Sequence, residues 1–314
     1  MNPDDDELDP AGPEDIQRII EQFVPAVTDL LKSTFEKIGH SLLHQKAIVH
    51  QYTTVSGLRG MIENQSVWST PVGYLNDVTE YRHGRDMFFT LIEEFIAYPS
   101  DDDRKEILLH LKTCLKDVDS NNVFVTCFTS SFDQLSQWRG YAADGYGYSV
   151  GFDTAHFVEI KPDTVVLNVL YDEEMQKQFC DELLRSGIVA MEQTLVGARI
   201  QPTPAAIAKL LVFAIKIAIP SFKHKGFAEE CEVRMFIDTE YDAEAKNRLL
   251  YHERKGMLVP HIPLRWGEEK LPIREIIVGP NLDFDKAQWG LQRFLEQHGY
   301  MDVEIRRSSV PYLT

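Results

Sequence analysis

Strand and helix periods alternate along the 314-residue chain without the regular strand–helix–strand rhythm of a doubly wound sheet. Apolar, β-branched runs bounded by polar turns predict strands at "AIVHQYTT", "NNVFVTCFTSS", "YGYSVGFD", "TVVLNVLYDEE", "FAEECEVRMFI", "IREIIVGPN" and "VEIRRSSVPYL". "VSGLRGMIENQSVWST" reads as a short helix followed by another strand. Spacing of 3.6 residues predicts helices in "PEDIQRIIEQFVPAVTDLLKSTFEKIGHSLLHQ", broken or kinked at Pro25, and in "DDRKEILLHLKTCLKDV", "FDQLSQWRGYAADG" and "DKAQWGLQRFLEQHG". A further helix follows the loop "LNDVTE", residues from about 173 to 222 are mainly helical, and the stretch before "IREIIVGPN" is polar.

The pattern predicts an α+β fold: a mixed or antiparallel central sheet with helical insertions and an N-terminal helical appendage. Residues 1–14 read as a disordered acidic tail, 15–46 as the helical segment, and 47–314 as one catalytic-type domain with a helical insertion at about 173–222. An apolar fraction of 44% suffices for a core of that size. The net charge of −17 argues against a protein that coats a nucleic-acid backbone, yet permits an enzyme with one local basic patch.

Cys114, Cys127, Cys180 and Cys231 form no CxxC or CxxH, so neither zinc-ligand spacing nor a disulfide framework is present. Cys127, midway along an apolar strand, reads as a small core residue rather than a nucleophile. The N-terminus lacks a secretory pattern, and "IAKLLVFAIKIAIPSF" carries two lysines and ends at a proline. The expectation is a cytoplasmic protein with no membrane partner.

Four stretches carry candidate chemistry. In "FAEECEVRMFI", a strand would set Glu230, Glu232 and Arg234 on one face and Cys231, Val233 and Met235 on the other. Such a stripe is either a solvent-facing edge or the wall of a cleft. In "LNDVTE", Asn76 and Asp77 with Glu80 form a capping arrangement, or they project from a helix N-terminus toward a bound substrate. "QWRGYAADG" puts Trp138 and Tyr141 three apart beside Arg139, as core packing or as an aromatic wall. Gly145, Gly147 and Gly151 in "DGYGYSVGF" mark a turn and strand, or a wall against which a flat ligand lies.

Taken in order, "HQYTT", "LNDVTE", "CFTSSFDQLSQWRGYAADGYGYSVGF", "FAEECEVR", "IREIIVGP" and the terminal serine–proline–tyrosine segment resemble the bacterial family catalogued as domain of unknown function 2971. The resemblance runs from His50 to the C-terminus and leaves the N-terminal helices outside.

The opening strand and short helix are also similar, more weakly, to the start of the ADP-ribosyltransferase fold. That resemblance implies NAD as substrate, gripped by His50, Gln51, Tyr52 and Thr53, with Trp138, Tyr141 and Tyr148 around the nicotinamide. Gln51 stands where that fold would have His or Arg, unless the register slips to His50. Glu230-Cys231-Glu232 fills the place of the late E-x-E pair: Glu232 stabilises an oxocarbenium-like sugar and Glu230 orients the acceptor. Arg234 or Arg139 would hold the pyrophosphate. The implied activity modifies a protein or nucleic-acid acceptor, as in a bacterial toxin or phage-defence effector. Two alternatives stand beside it: a metal-dependent nuclease using Asp77, Glu80, Glu230 and Glu232, and a non-enzymatic module sensing a nucleotide or phage component.

Overall fold

The computed structural model describes residues 13–39, 47–75, 80–99, 101–116, 118, 120–159, 165–240, 243–254, 256–267 and 270–312. Among these, ten strands join in one sheet: β1 (Ile48–Thr53), β2 (Val67–Pro71), β3 (Val123–Thr129), β4 (Tyr148–Asp153), β5 (Val165–Asn168), β6 (Glu232–Asp238), β7 (Leu250–Arg254), β8 (Met257–Leu264), β9 (Ile273–Val278) and β10 (Glu304–Arg307). Their order is β10-β9-β4-β1-β3-β2-β8-β7, with β6 also on β3 and β5 on β6. Among the described strands only the β9–β10 pair is parallel; the other ladders are antiparallel. This is the α+β class expected from the sequence.

The helices are α1 (Pro13–Lys37), α2 (Val55–Asn64), α3 (Glu80–Ala97), α4 (Asp102–Lys116), α5 (Leu135–Tyr141), α6 (Glu173–Gly197), α7 (Pro204–Ala218), α8 (Ala243–Asn247) and α9 (Phe284–Gln297). Side-chain oxygens satisfy the first amides of several: Thr54 accepts from Gly57 N–H, Asp172 from Met175 N–H and Asp283 from Lys286 N–H.

Alternation along the strands divides the core between the two faces of the sheet. On one face Val123, Val125, Leu167 and Phe236 pack against α1, α3, α4, α6 and α7. On the other, Val49, Val150, Phe152, Val233 and Met235 pack against Leu58 and Ile62 of α2 and Leu291 and Leu295 of α9. The apolar span Pro204–Ser221 is long and apolar enough to cross a bilayer by composition, but 83% of it is buried here as the central helix of the first layer.

Two expectations are corrected. Helix α1 runs unbroken through Pro25, whose ring lies on the exposed side while Val27, Leu31 and Phe35 face α6 and α7. The polar stretch after β6 contains the β7–β8 hairpin, which turns at Gly256 with φ of 76°.

The sheet opens on one flank of β3. There β2 pairs only with Phe124 and Val125, and β1 meets β3 only at His50–Thr129. Thr126 still reaches β2 through its hydroxyl, 2.6 Å from Ser69 Oγ, but Cys127 and Phe128 have no paired residue on β1 or β2 among the described ladders. The opening is where the chemistry-bearing side chains gather.

Candidate functional site

Strand β6 starts at Glu232, and this changes the expected stripe. Glu230 ends a 3-10 turn (Lys225–Glu230), and Cys231 takes a left-handed conformation with φ of 45°. A non-glycine residue there is strained. The three charged residues therefore do not lie along one strand: Glu232 and Arg234 share a strand face, and the Cys231 turn brings Glu230 alongside them.

The three meet Lys223 in a buried charge network. Lys223 Nζ donates to Glu230 Oε2 and lies 3.3 Å from Glu232 Oε1. Arg234, 1% exposed, donates Nε to Glu232 Oε2 at 2.8 Å and Nη1 to the Pro220 carbonyl. Tyr141 donates its hydroxyl to Glu230 Oε1 at 3.1 Å, and the Glu232 amide donates to the Tyr171 hydroxyl at 2.8 Å. Burial drives the Tyr171 phenol well above its ordinary range. Two carboxylates and two cations cancel, which permits so much charge so far from water.

Beside the network, in the sheet opening, is a cavity of about 150 Å³. Strand β1 lines it with His50, Gln51 and Tyr52, β3 with Cys127, Phe128 and Thr129, α5 with Gln137 and Tyr141, and β6 with Glu232. Pockets for drug-sized ligands measure about 300–1,000 Å³, so this one admits roughly a single ring. Larger hollows of about 350 and 360 Å³ lie among the helices of the first layer, one beside Arg104 and Arg185 and the other beside the exposed Glu173–Lys177 pair; the buried Lys216–Asp238–Glu240 cluster lines neither.

Side chains behind the cavity fix its wall. His50 Nδ1 is 3.1 Å from Ser149 Oγ and its Nε2 is 3.3 Å from Glu275 Oε1. Arg306 donates to the other Glu275 oxygen at 2.8 Å. Burial pushes the imidazole down to about 4; Glu275 opposes this and Arg306 adds to it. Gly151 makes the arrangement possible, because a Cβ there would stand 2.9 Å from both Glu275 and His50. Tyr52 donates its hydroxyl to Ser131 O and accepts from Gln134 N–H, and burial pushes its phenol up to about 12. Asp133 ties α5 to the end of the chain, accepting from Trp138 Nε1 at 2.8 Å, Ser308 Oγ at 2.6 Å and the Ser309 amide at 2.6 Å.

Several sequence-predicted residues stand elsewhere. Trp138 is fully buried behind Tyr52, edge-on at 4.8 Å, and forms a pillar of the wall without facing the cavity. Tyr148 points to the opposite sheet face and joins the core there. Arg139 is exposed on the outer side of α5, and Thr53 packs over Gly57 at the start of α2. Arg234 is enclosed and committed to Glu232 and Pro220, so it positions Glu232 and has no face for a pyrophosphate. Asn76 and Asp77, and the side chain of Glu80, lie outside the described residues. Of the expected set, His50, Gln51, Tyr52, Tyr141 and Glu232 converge on the cavity, with Glu230 and Arg234 bonded at its edge.

Sequence patterning does not single out Lys223, Gln137, Thr129 or Glu275. Lys223 sits in "KHK" and reads as solvated charge; its one distinguishing sign is that it directly follows the apolar run ending at Phe222. Among the described residues no three His, Cys, Asp or Glu side chains converge as metal ligands. Lys223 stands between Glu230 and Glu232, where the nuclease reading would put a metal.

No curated protein and no solved structure matches the chain. Residues 137–235, which carry Gln137, Tyr141, Lys223, Glu230, Glu232 and Arg234, match the family described as Protein of unknown function (DUF2971), supporting over that span the resemblance read from the sequence.

Proposed function

We propose that the chain is an NAD-consuming enzyme of ADP-ribosyltransferase type, which breaks the nicotinamide–ribose bond and passes ADP-ribose to a protein or nucleic-acid acceptor. One observation carries the reading: His50, Gln51 and Tyr52 of the first strand and Glu232 of a late strand line the same ring-sized cavity. A nicotinamide ring would enter it, with the ribose at its mouth beside Glu232. As the glycosidic bond breaks, its electron pair moves to the nicotinamide nitrogen and positive charge develops on the sugar. Glu232, held by Arg234 and Lys223, accepts a hydrogen bond from a ribose hydroxyl and faces that charge. The acceptor's lone pair then forms the new bond to the sugar carbon, and the acceptor's proton passes to water. Arg234 and Glu230 act through others: Arg234 fixes the Glu232 carboxylate, and Glu230 holds Tyr141 and Lys223.

A second reading, a nucleotide-binding module without catalysis, is favoured by the pairing of both carboxylates with cations, which weakens their field at a substrate. NAD loss measured with wild type and Glu232→Gln, with cell lysate as the acceptor source and labelled NAD to trace transfer, separates the two. Consumption by wild type alone supports the enzyme. No turnover with both proteins folded overturns it, and ligand affinity unchanged in Glu232→Gln then favours the module.

A further inference from the structure

Most polar groups around the cavity already have partners. His50 is bonded to Ser149 and Glu275, the Tyr52 hydroxyl to Ser131 and Gln134, Thr129 Oγ1 to the Ser131 amide, and Glu232 to Arg234 and Lys223. Two primary amides also face the cavity, and one of them has an orphaned oxygen. Gln51 lines the cavity from β1, and its Oε1 is buried without a hydrogen-bond partner among the described residues. Gln137 lines the same cavity from α5 and is 5% exposed. Buried polar groups are nearly always paired, so the orphaned Gln51 oxygen marks a place that a ligand completes, and the Gln137 amide stands on the same small cavity to meet that ligand.

Their chemistry limits the ligand. A glutamine amide offers one acceptor oxygen and two N–H donors and carries no charge. It therefore complements a neutral group that presents N–H beside C=O, and it cannot neutralise a carboxylate or an ammonium. The cations nearby, Lys223 and Arg234, are committed to the two glutamates. Tyr52 and Tyr141 also line the cavity, and their rings suit a flat, unsaturated body.

We propose that this cavity binds the amide edge of one small planar ring, and that Gln51 and Gln137 are the residues that read it. Two sources present that edge: a carboxamide on an aromatic ring and the lactam of a nucleobase. The proposal rests on the reading of this cavity as a ligand site given above, and it requires no turnover.

Calorimetric titration of the full chain with benzamide, uracil and benzoate tests it. Benzamide, uracil or both should bind saturably, while benzoate, which keeps the ring and loses the N–H donors, should bind at least about tenfold more weakly. Gln51→Leu and Gln137→Leu should each weaken the bound amide at least about tenfold while keeping a wild-type unfolding midpoint. Where a leucine variant does not fold, glutamate at that position keeps the shape and removes the donors. Binding of benzamide alone assigns the carboxamide source, and of uracil alone the lactam. No binding of either to wild type, equal binding of benzoate, or undiminished binding in both variants overturns the proposal. Amide binding without NAD loss leaves it standing and removes the proposed reaction; NAD loss unaffected in both glutamine variants does the reverse.

Discussion

Removing the Arg234 guanidinium tests whether the buried network is a coupled unit. In Arg234→Met, Glu232 loses its donors at 2.8 and 2.5 Å and keeps only Lys223 at 3.3 Å, while the Pro220 carbonyl loses its partner. Breaking one side of a buried ion pair costs about 3–5 kcal/mol, and an orphaned buried carbonyl about 1–3 kcal/mol. Lys223 compensates part of this, so about 3–5 kcal/mol is expected, a large share of the roughly 5–15 kcal/mol by which domains are stable. Adding Glu232→Met removes the stranded carboxylate and leaves Lys223 paired with Glu230. The double variant should therefore be more stable than Arg234→Met alone, with a coupling energy of at least about 2 kcal/mol. Urea unfolding of all four proteins gives the cycle, with an unchanged slope as the check on two-state behaviour. Additive losses within about 0.5 kcal/mol would refute the reasoning, because they would mean that the two side chains do not share a desolvated contact.

Gly151→Ala should destabilise by about 1–3 kcal/mol, since the new methyl collides with Glu275 and His50 at 2.9 Å and with Ile48 at the same distance. A wild-type urea midpoint would show that the wall behind the cavity yields freely. On the pH axis, burial pushes His50 down to about 4 and His261 in the same direction, to about 4. The folded state thus holds neutral imidazoles where the unfolded chain takes up protons, so stability is full above the ordinary histidine range and falls as pH drops from about 6.5 toward 4. Unfolding free energy measured across that window should be flatter in His50→Gln than in wild type, and coincident slopes would refute the assignment.

The regular parts of the fold are legible because local and tertiary demands agree. "VFVTCFT" is apolar and β-branched and becomes the central β3, and "DKAQWGLQRFLEQHG" becomes α9, which starts one residue earlier at Phe284 under an Asp283 cap. The β7–β8 hairpin escapes sequence patterning because Pro260 and Pro263 break the expected strand pattern, although each sits at a position the ladder tolerates. Pro25 misleads in the opposite sense, since the helix around it is held by its packed face and not by propensity alone. At the site, alternation correctly sets Glu232 with Arg234, but nothing in "EECE" announces a left-handed turn at a cysteine. Lys223 and Glu275 are hidden for a different reason: their partners are remote in sequence or across a turn, and only the folded sheet brings them to Glu232 and His50.

That dependence on the folded sheet also separates the two jobs of the cavity. Glu232 and the network that holds it, with Gln137 and Tyr141, fall within the span matching the family, whereas His50, Gln51 and Tyr52 and the β3 wall lie outside it. In the proposed function the first set contains the carboxylate that acts on the ligand, and the second supplies most of the surface that selects one. Trp138 joins them physically, edge-on against Tyr52 at 4.8 Å, and Asp133 fixes it by accepting from its Nε1 while clamping Ser308 and Ser309. Burial works to raise the Asp133 carboxyl, but those hydrogen bonds outweigh it and hold the group below its usual range, so the clamp stays charged and closed at neutral pH. Changes at Gln51 should then alter which ring is held, and changes at Glu232 what happens to it, with little crossover between the two as long as the Asp133 clamp keeps the walls in register.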